Sequence, residues 1–369
     1  MKNHIFVYSI IALMSLLSCN KEKGTIYTVD FSSGNFPQKS VDLDDYVGSW
    51  KKVVLETDSF CLVDKSAHFY PCKEYIIVYS PNRIMMFDYD GKFIKNIAQG
   101  GNGPGELNYL SDCTIDEENQ MLYYLDIFDT ENIHSISLKD GGIGTIPIAI
   151  GKMLKSFVFH HDVITCFPYV GNRSQSCYTQ DLKGDILDPA SLRIEEPDGP
   201  FVQSPINMFF LNDDIFYQGL YEDTVYNVTT HLPMLVFSKG NRHADDVNTK
   251  DIRENQVFFN SLFSSGDNCV LSRVEYVLKA TDEEGQLLEM IPDEYRYYLY
   301  DHHLKEVSEI TGCTFTPIDK KYVKDKLTDL FPLISSFNPR KIVLAFPAEE
   351  LGGEFDDNPI LYVGDLRDR

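Results

Sequence analysis

The sequence predicts an all-β chain folded as a β-propeller. Three observations carry this: a three-strand meander with a glycine-rich exit between Tyr75 and Leu107, echoes of that meander along the rest of the chain, and strand-forming runs near both ends that can pair with each other. Tyr75–Tyr79 is a short apolar, β-branched run stopped by Ser80-Pro81-Asn82, a turn cluster. Arg83–Tyr89 is the second strand, and Asp90-Gly91 closes a tight hairpin whose two central positions suit positive φ. Lys92–Ala98 then alternates, with Phe93, Ile94 and Ile97 apolar among Lys92, Lys95 and Asn96. Gly100, Gly101, Gly103 and Gly105 suit a tight loop from the outer strand of one blade to the inner strand of the next. A phosphate-binding loop is excluded on mechanism. Such a loop opens a helix and carries Lys-Ser/Thr, whereas here Pro104 removes a donor, Glu106 adds negative charge and another strand follows.

The first strand is echoed by Met121–Asp126, Val163–Phe167, Ile215–Gln218, Cys269–Ala280 and Arg340–Phe346. Each echo has a partner after it, at Asn132–Leu138, Ser176–Leu182, Thr224–Thr229, Glu294–Tyr300 and Pro359–Gly364. The shortest spacings approach the period of propeller blades, but the spacings are uneven. Two longer intervals suit short inserted helices. Asp245–Asn260 is charged and then apolar, and in Asp319–Ile334 the residues Tyr322, Val323, Leu327, Leu330 and Phe331 gather on one helical face.

The meander, with Gly103-Pro104-Gly105-Glu106 and a closing Asn-Pro pattern at Asn358-Pro359, resembles six-bladed β-propeller lipoproteins of the Bacteroides type, an NHL-like group. The resemblance implies six blades of four antiparallel strands, and it sets that count more firmly than the spacings do. The final strand, within Asn358–Leu366, belongs to the last blade, and Lys51–Glu56 can supply that blade's outer strand. Pairing the two termini removes edges that would otherwise template aggregation.

The N-terminus reads as an export signal. Lys2 is followed by the uncharged run Ile5–Leu17 and by Leu16-Leu17-Ser18-Cys19, a bacterial lipobox. The run is too short to span a bilayer as a helix. Residues 1–18 are therefore the signal, Cys19 is the lipidated N-terminus, 19–24 form a tether and 25–369 one propeller domain. Acyl chains on Cys19 would hold the protein to a membrane, the outer membrane being the expected one.

A net charge of -23 disfavours nucleic-acid partners, which are bound by Lys and Arg neutralising phosphates. Eight cysteines leave seven beyond Cys19, with no CxxC pair. Cys61 with Cys72, and Cys166 with Cys177, could bridge neighbouring strands. Buried thiols packed as small hydrophobes are the better expectation.

No HExxH or GxSxG motif is present, and Ser49-Trp50-Lys51-Lys52 leads into a strand that points Ser and Lys to opposite faces. His160-His161 precedes Asp162 in an expected hairpin turn. The richer candidate is one end of the propeller, where connections between second and third strands meet those between blades. That end would gather Arg83 and Glu106 from the first blade and its exit, then Asp126 and Asp129 from the second. Tyr169, Asn172 and Arg173 would join from the third blade, and Tyr221, Glu222 and Asp223 from the fourth. Aromatics beside carboxylates, amides and arginines suit a glycan, a peptide or a protein partner. Carboxylates from several blades also suit calcium. Non-catalytic binding is the leading expectation. The alternatives are a metal-assisted lyase or hydrolase using channel carboxylates or His160 and His161, and a structural subunit of an outer-membrane uptake or secretion assembly.

Overall fold

The structure, a computed structural model, describes residues 26–31, 34–101, 103, 105–150, 153–168, 177–187, 207–212, 214–218, 223–238, 256–281, 287–315, 338 and 340–367. Three strands precede the first blade: β1 (Tyr27–Asp30), β2 (Gln38–Asp42) and β3 (Val47–Val54). Blade 1 is β4 (His68–Pro71), β5 (Tyr75–Ser80), β6 (Arg83–Asp88) and β7 (Phe93–Gln99), paired in that order. Blade 2 repeats it with β8 (Leu110–Asp116), β9 (Met121–Asp126), β10 (Asn132–Ser137) and β11 (Ile143–Pro147). Blade 3 has β12 (Leu154–His160), β13 (Val163–Pro168) and β14 (Tyr178–Gln180) among the described residues. Blade 4 is β15 (Asn207–Leu211), β16 (Asp214–Gln218), β17 (Thr224–Asn227) and β18 (Pro233–Ser238). Blade 5 is β19 (Gln256–Ser265), β20 (Asn268–Thr281), β21 (Leu287–Asp301) and β22 (Glu306–Thr314). Blade 6 joins β23 (Lys341–Phe346) and β24 (Ile360–Leu366) to β3 from the N-terminal side. The fold is a six-bladed β-propeller.

The core explains why the middle strands read as continuous apolar runs. Every residue of β5 is buried, because each face of a blade is covered by a neighbouring blade. The period of two then divides one strand between two cores. Ile76 and Val78 pack into the cluster between blades 6 and 1, while Tyr75, Ile77 and Tyr79 pack into the cluster between blades 1 and 2. Strand β9 repeats the division, with Leu122 and Tyr124 facing blade 1 and Tyr123 and Leu125 facing blade 3. Strand β24 closes the circle, sending Leu361 and Val363 toward blade 1 and Ile360 and Tyr362 toward blade 5.

The ring is latched by β3, antiparallel to β24 from Val47 opposite Leu366 to Val54 opposite Ile360. This is the expected closure, with the strand starting earlier and stopping at Val54. Asn358 reinforces it. Only 3% exposed, its Oδ1 accepts from the Val63 amide at 2.7 Å, and its Nδ2 donates to the Glu56 and Cys61 carbonyls at 2.7 and 2.9 Å.

Three expectations change. Blades 4 and 5 have a fifth strand from the N-terminal segment: β1 runs parallel to β18, and β2 parallel to β22. The outer edges of β18 and β22 offer unpaired backbone groups. The added strands cover them while burying Val29 and Phe31 at one interface and Val41 and Leu43 at the next. The helix expected over Asp245–Asn260 is replaced at residues 256–260 by the start of β19, which pairs with β20. There the β-propensity of Val257, Phe258 and Phe259 and a long partner strand prevail. Residues 245–255 and the Asp319–Ile334 helix lie outside the described residues, and the described helical turns are single 3-10 turns at Leu43–Asp45 and Ala348–Leu351.

The hairpin at Asp90-Gly91 has positive φ at Gly91 alone, +84°. The Asp88 carboxylate accepts from the amides of Asp90 and Lys92, both at 2.9 Å, and so holds a three-residue loop ending in a left-handed glycine. A Cβ on Gly91 would stand 1.8 Å from the Val54 carbonyl oxygen, so this glycine also lets the loop meet the closing strand. Seven cysteines, from Cys61 to Cys313, are buried free thiols, which leaves neither suggested disulfide formed.

Candidate functional site

The first two strands of each blade meet in a turn at one end of the ring, and at that end a cleft of about 830 Å³ opens. Five blades line it. Blade 1 supplies Lys73 and Tyr75, blade 2 the turn Asp116–Gln120, blade 3 the turn His160–Asp162, blade 4 Phe210, and blade 6 Arg340 and Lys341. The turn in blade 3 is the expected hairpin. His161 and Asp162 have φ of +50° and +61°, so two non-glycine residues hold the geometry usual for Asn-Gly. Backbone strain of this kind concentrates at functional sites. The imidazoles of His160 and His161 lie 3.8 Å apart, centroid to centroid.

The floor is held by bonds between residues distant in sequence. Glu117 accepts from the Lys73 amide at 2.7 Å and from Asn338 Nδ2 at 3.2 Å. Asn338, itself buried, also donates to the Pro71 carbonyl at 2.7 Å and accepts from the Arg340 amide at 2.8 Å. Tyr75 donates to Gln120 Oε1 at 2.8 Å, and Asp116 accepts from both the amide and side chain of Asn119. Burial pushes the phenols of Tyr70 and Tyr75 and the thiol of Cys72 well above their ordinary ranges. These groups are therefore neutral, which makes Cys72 a packing residue and not a nucleophile. Lys341 pairs with Asp365.

The opposite end holds the residues expected to bind, and those described are occupied by their own loops. Arg83 donates to Asn96 Oδ1 and to the carbonyls of Phe60 and Leu62. Glu106 accepts from the Gly103 amide at 2.7 Å. Asp126, only 5% exposed, accepts from the amides of Asn108 and Phe128 and so ties the inter-blade loop to the β9–β10 loop. Asp129 accepts from the Glu131 amide and Asn132 side chain, and its Oδ2 lies 3.0 Å from His134 Nε2. The Asp223 carbonyl accepts from the Phe237 amide. Tyr169, Asn172, Arg173, Tyr221 and Glu222 lie outside the described residues.

This end also exposes Phe60, Leu62, Tyr109, Ile127 and Phe128. The Leu110 amide donates to the Pro81 carbonyl and the Ile127 amide to the Tyr109 carbonyl, so Tyr109, Ile127 and Phe128 sit on adjoining loops, while the Phe60 ring lies against Phe93. Among the described residues, no three of His, Cys, Asp and Glu converge as metal ligands. No described helix is long and apolar enough to cross a membrane. Sequence reading placed His160 and His161 in their turn but not in a cleft. The lining residues sit in short polar turns that look alike in all blades.

A propeller with these inter-blade cores and this N-terminal latch defines the class of protein. The chain belongs to the family described as Domain of unknown function (DUF4934), whose model matches residues 26–365. It is similar in structure to a Bacteroides fragilis NCTC 9343 protein classed by name as exported, at 16% identity and a TM-score of 0.61, over 93% of this chain and 100% of that one. A member of the duf4221 family from Bacteroides vulgatus ATCC 8482 matches at 13% identity and a TM-score of 0.45, over 87% of this chain and 97% of that one. No curated protein matches the sequence.

Proposed function

We propose that this protein is a lipid-anchored propeller of the cell envelope that binds a small polar ligand in the cleft at the first-turn end of the ring, without converting it. The cleft carries the reading. Its volume lies within the range of small-molecule sites, and it joins aromatic walls to charged groups from four blades. Its rigid floor costs little ordering on binding. The address rests on the lipobox at Cys19 and agrees with the exported class of the B. fragilis protein. The exposed Tyr109, Ile127 and Phe128 on adjoining loops at the opposite end suit an envelope protein partner, in keeping with a role inside a larger uptake or secretion assembly.

The test is a thermal-shift panel of peptides, oligosaccharides and calcium on the full-length protein, followed by variants at each end. A ligand whose stabilising effect is lost in Glu118→Lys and kept in Phe128→Ala supports the cleft. The reverse pattern moves the site to the opposite end, and an unresponsive panel overturns the reading. Mass spectrometry of the recovered ligand decides catalysis. A converted ligand, with conversion lost in His161→Ala, makes the protein an enzyme.

A further inference from the structure

The charges around the cleft are sorted by blade. All its cations, Lys73, Arg340 and Lys341, come from blades 1 and 6. Blades 2 and 3 give carboxylates and histidines and no cation. Much of this charge is already committed: Lys341 to Asp365, Asp116 to Asn119, and Glu117 to Lys73 N and Asn338. What remains facing solvent is Lys73 and Arg340 on one side, Glu118 and Asp162 on the other, all exposed. Neither the Lys73 ammonium nor the Arg340 guanidinium is engaged by another described residue. Two exposed carboxylates lie on the cationic side, Glu74 beside Lys73 on the same turn and Asp365, which Lys341 engages, so three cations face two carboxylates there and that side keeps a single positive charge in excess.

The cleft also carries an apolar wall, half-buried or buried: Tyr70 and Tyr75 at the interface of blades 1 and 2, Phe159 at that of blades 2 and 3, and Val158 and Phe210 at that of blades 3 and 4. A purely anionic ligand would meet the blade 2 and 3 carboxylates, and a cationic one would meet Lys73 and Arg340. A neutral sugar would leave both poles to water. We infer that the cleft takes a short peptide with free termini, its carboxylate against Lys73 and Arg340, its ammonium against Glu118 and Asp162, and an apolar side chain on the wall. Arg340 supplies the planar fork that suits a carboxylate. Opposed poles also fix the direction in which the peptide lies. The inference rests on the cleft being the binding site.

The experiment uses calorimetry on the full-length protein with three probes: a tripeptide with a central phenylalanine and free ends, the same peptide acetylated and amidated, and maltotriose. The free-ended peptide is expected to bind at least tenfold more tightly than its capped form. Arg340→Ala and Glu118→Gln should each weaken the free-ended peptide several-fold but leave the capped one unchanged. Equal binding of capped and free peptides, or binding of maltotriose alone, overturns the peptide class while leaving the cleft as a binding site, provided Glu118→Lys still abolishes that binding. Failure of all three probes to bind also overturns it, and the wider panel then decides the cleft by itself.

Discussion

Replacing Asn358 by alanine should open the latch, and the cost follows from what its side chain satisfies. Removing Oδ1 leaves the Val63 amide without its 2.7 Å partner, and removing Nδ2 leaves the Cys61 carbonyl without its 2.9 Å donor. The Glu56 carbonyl suffers less, because the Cys61 thiol also donates to it at 3.2 Å. A buried amide left unpaired costs about 1–3 kcal/mol and a lost carbonyl bond about 1 kcal/mol, so the variant should lose about 2–4 kcal/mol. The Asn358→Asp variant is the sharper control. It keeps an acceptor for Val63 but turns a carboxylate toward two carbonyls, so at neutral pH it should be at least as unstable as the alanine variant. Protonation restores a donor, and the aspartate variant should gain on the alanine variant as pH falls below about 5. Urea unfolding followed by fluorescence suits the question. The single tryptophan, Trp50, lies in β3 opposite Gly364 and reports the closing blade directly. An alanine variant within about 1 kcal/mol of wild type would refute the assignment of Asn358 as a latch.

Two further outcomes are expected. Asp112 bridges blades 2 and 3 by accepting from Ser156 Oγ at 2.7 Å and the Phe157 amide at 3.1 Å, yet burial pushes its carboxyl up to about 6. A raised carboxyl contributes stability that is present below about pH 4 and lost as pH rises through about 6, so Asp112→Asn should gain on wild type across that window, by at most about 3 kcal/mol. Parallel pH–stability curves for the two proteins would sink this. At the other extreme of the chain, Cys19→Ser should abolish incorporation of a fatty-acid probe and stable membrane attachment, and label retained on the serine variant would disprove lipidation at that residue.

The strand order was legible in the sequence because each middle strand is covered on both faces. Tyr75–Ser80 and Met121–Asp126 must be apolar throughout, and runs of that kind recur visibly. Closure was legible too, since Lys51–Glu56 and the run after Asn358-Pro359 carry their own strand signals. Resemblance, more than periodicity, supplied the number of blades. The parallel edge strands β1 and β2 were not legible: Tyr27–Asp30 and Gln38–Asp42 are short and mixed in polarity, and only the edges they cover make them strands. Nor did the Asp-Gly pair reveal its true loop, which Asp88 decides by capping two amides.

By itself the sequence determined an all-β propeller, because that fold follows from local patterns of apolar residues and turn formers. Only the tertiary structure decided which end of the ring holds the cleft. The bonds that build it join Asn338 to Pro71 and Glu117, and Glu117 to Lys73, across 267, 221 and 44 residues of chain. Local propensity is blind to such distances. The charge poles likewise exist only once the ring sets blades 6 and 1 beside blades 2 and 3, placing Arg340 and Lys73 across one opening from Glu118 and Asp162.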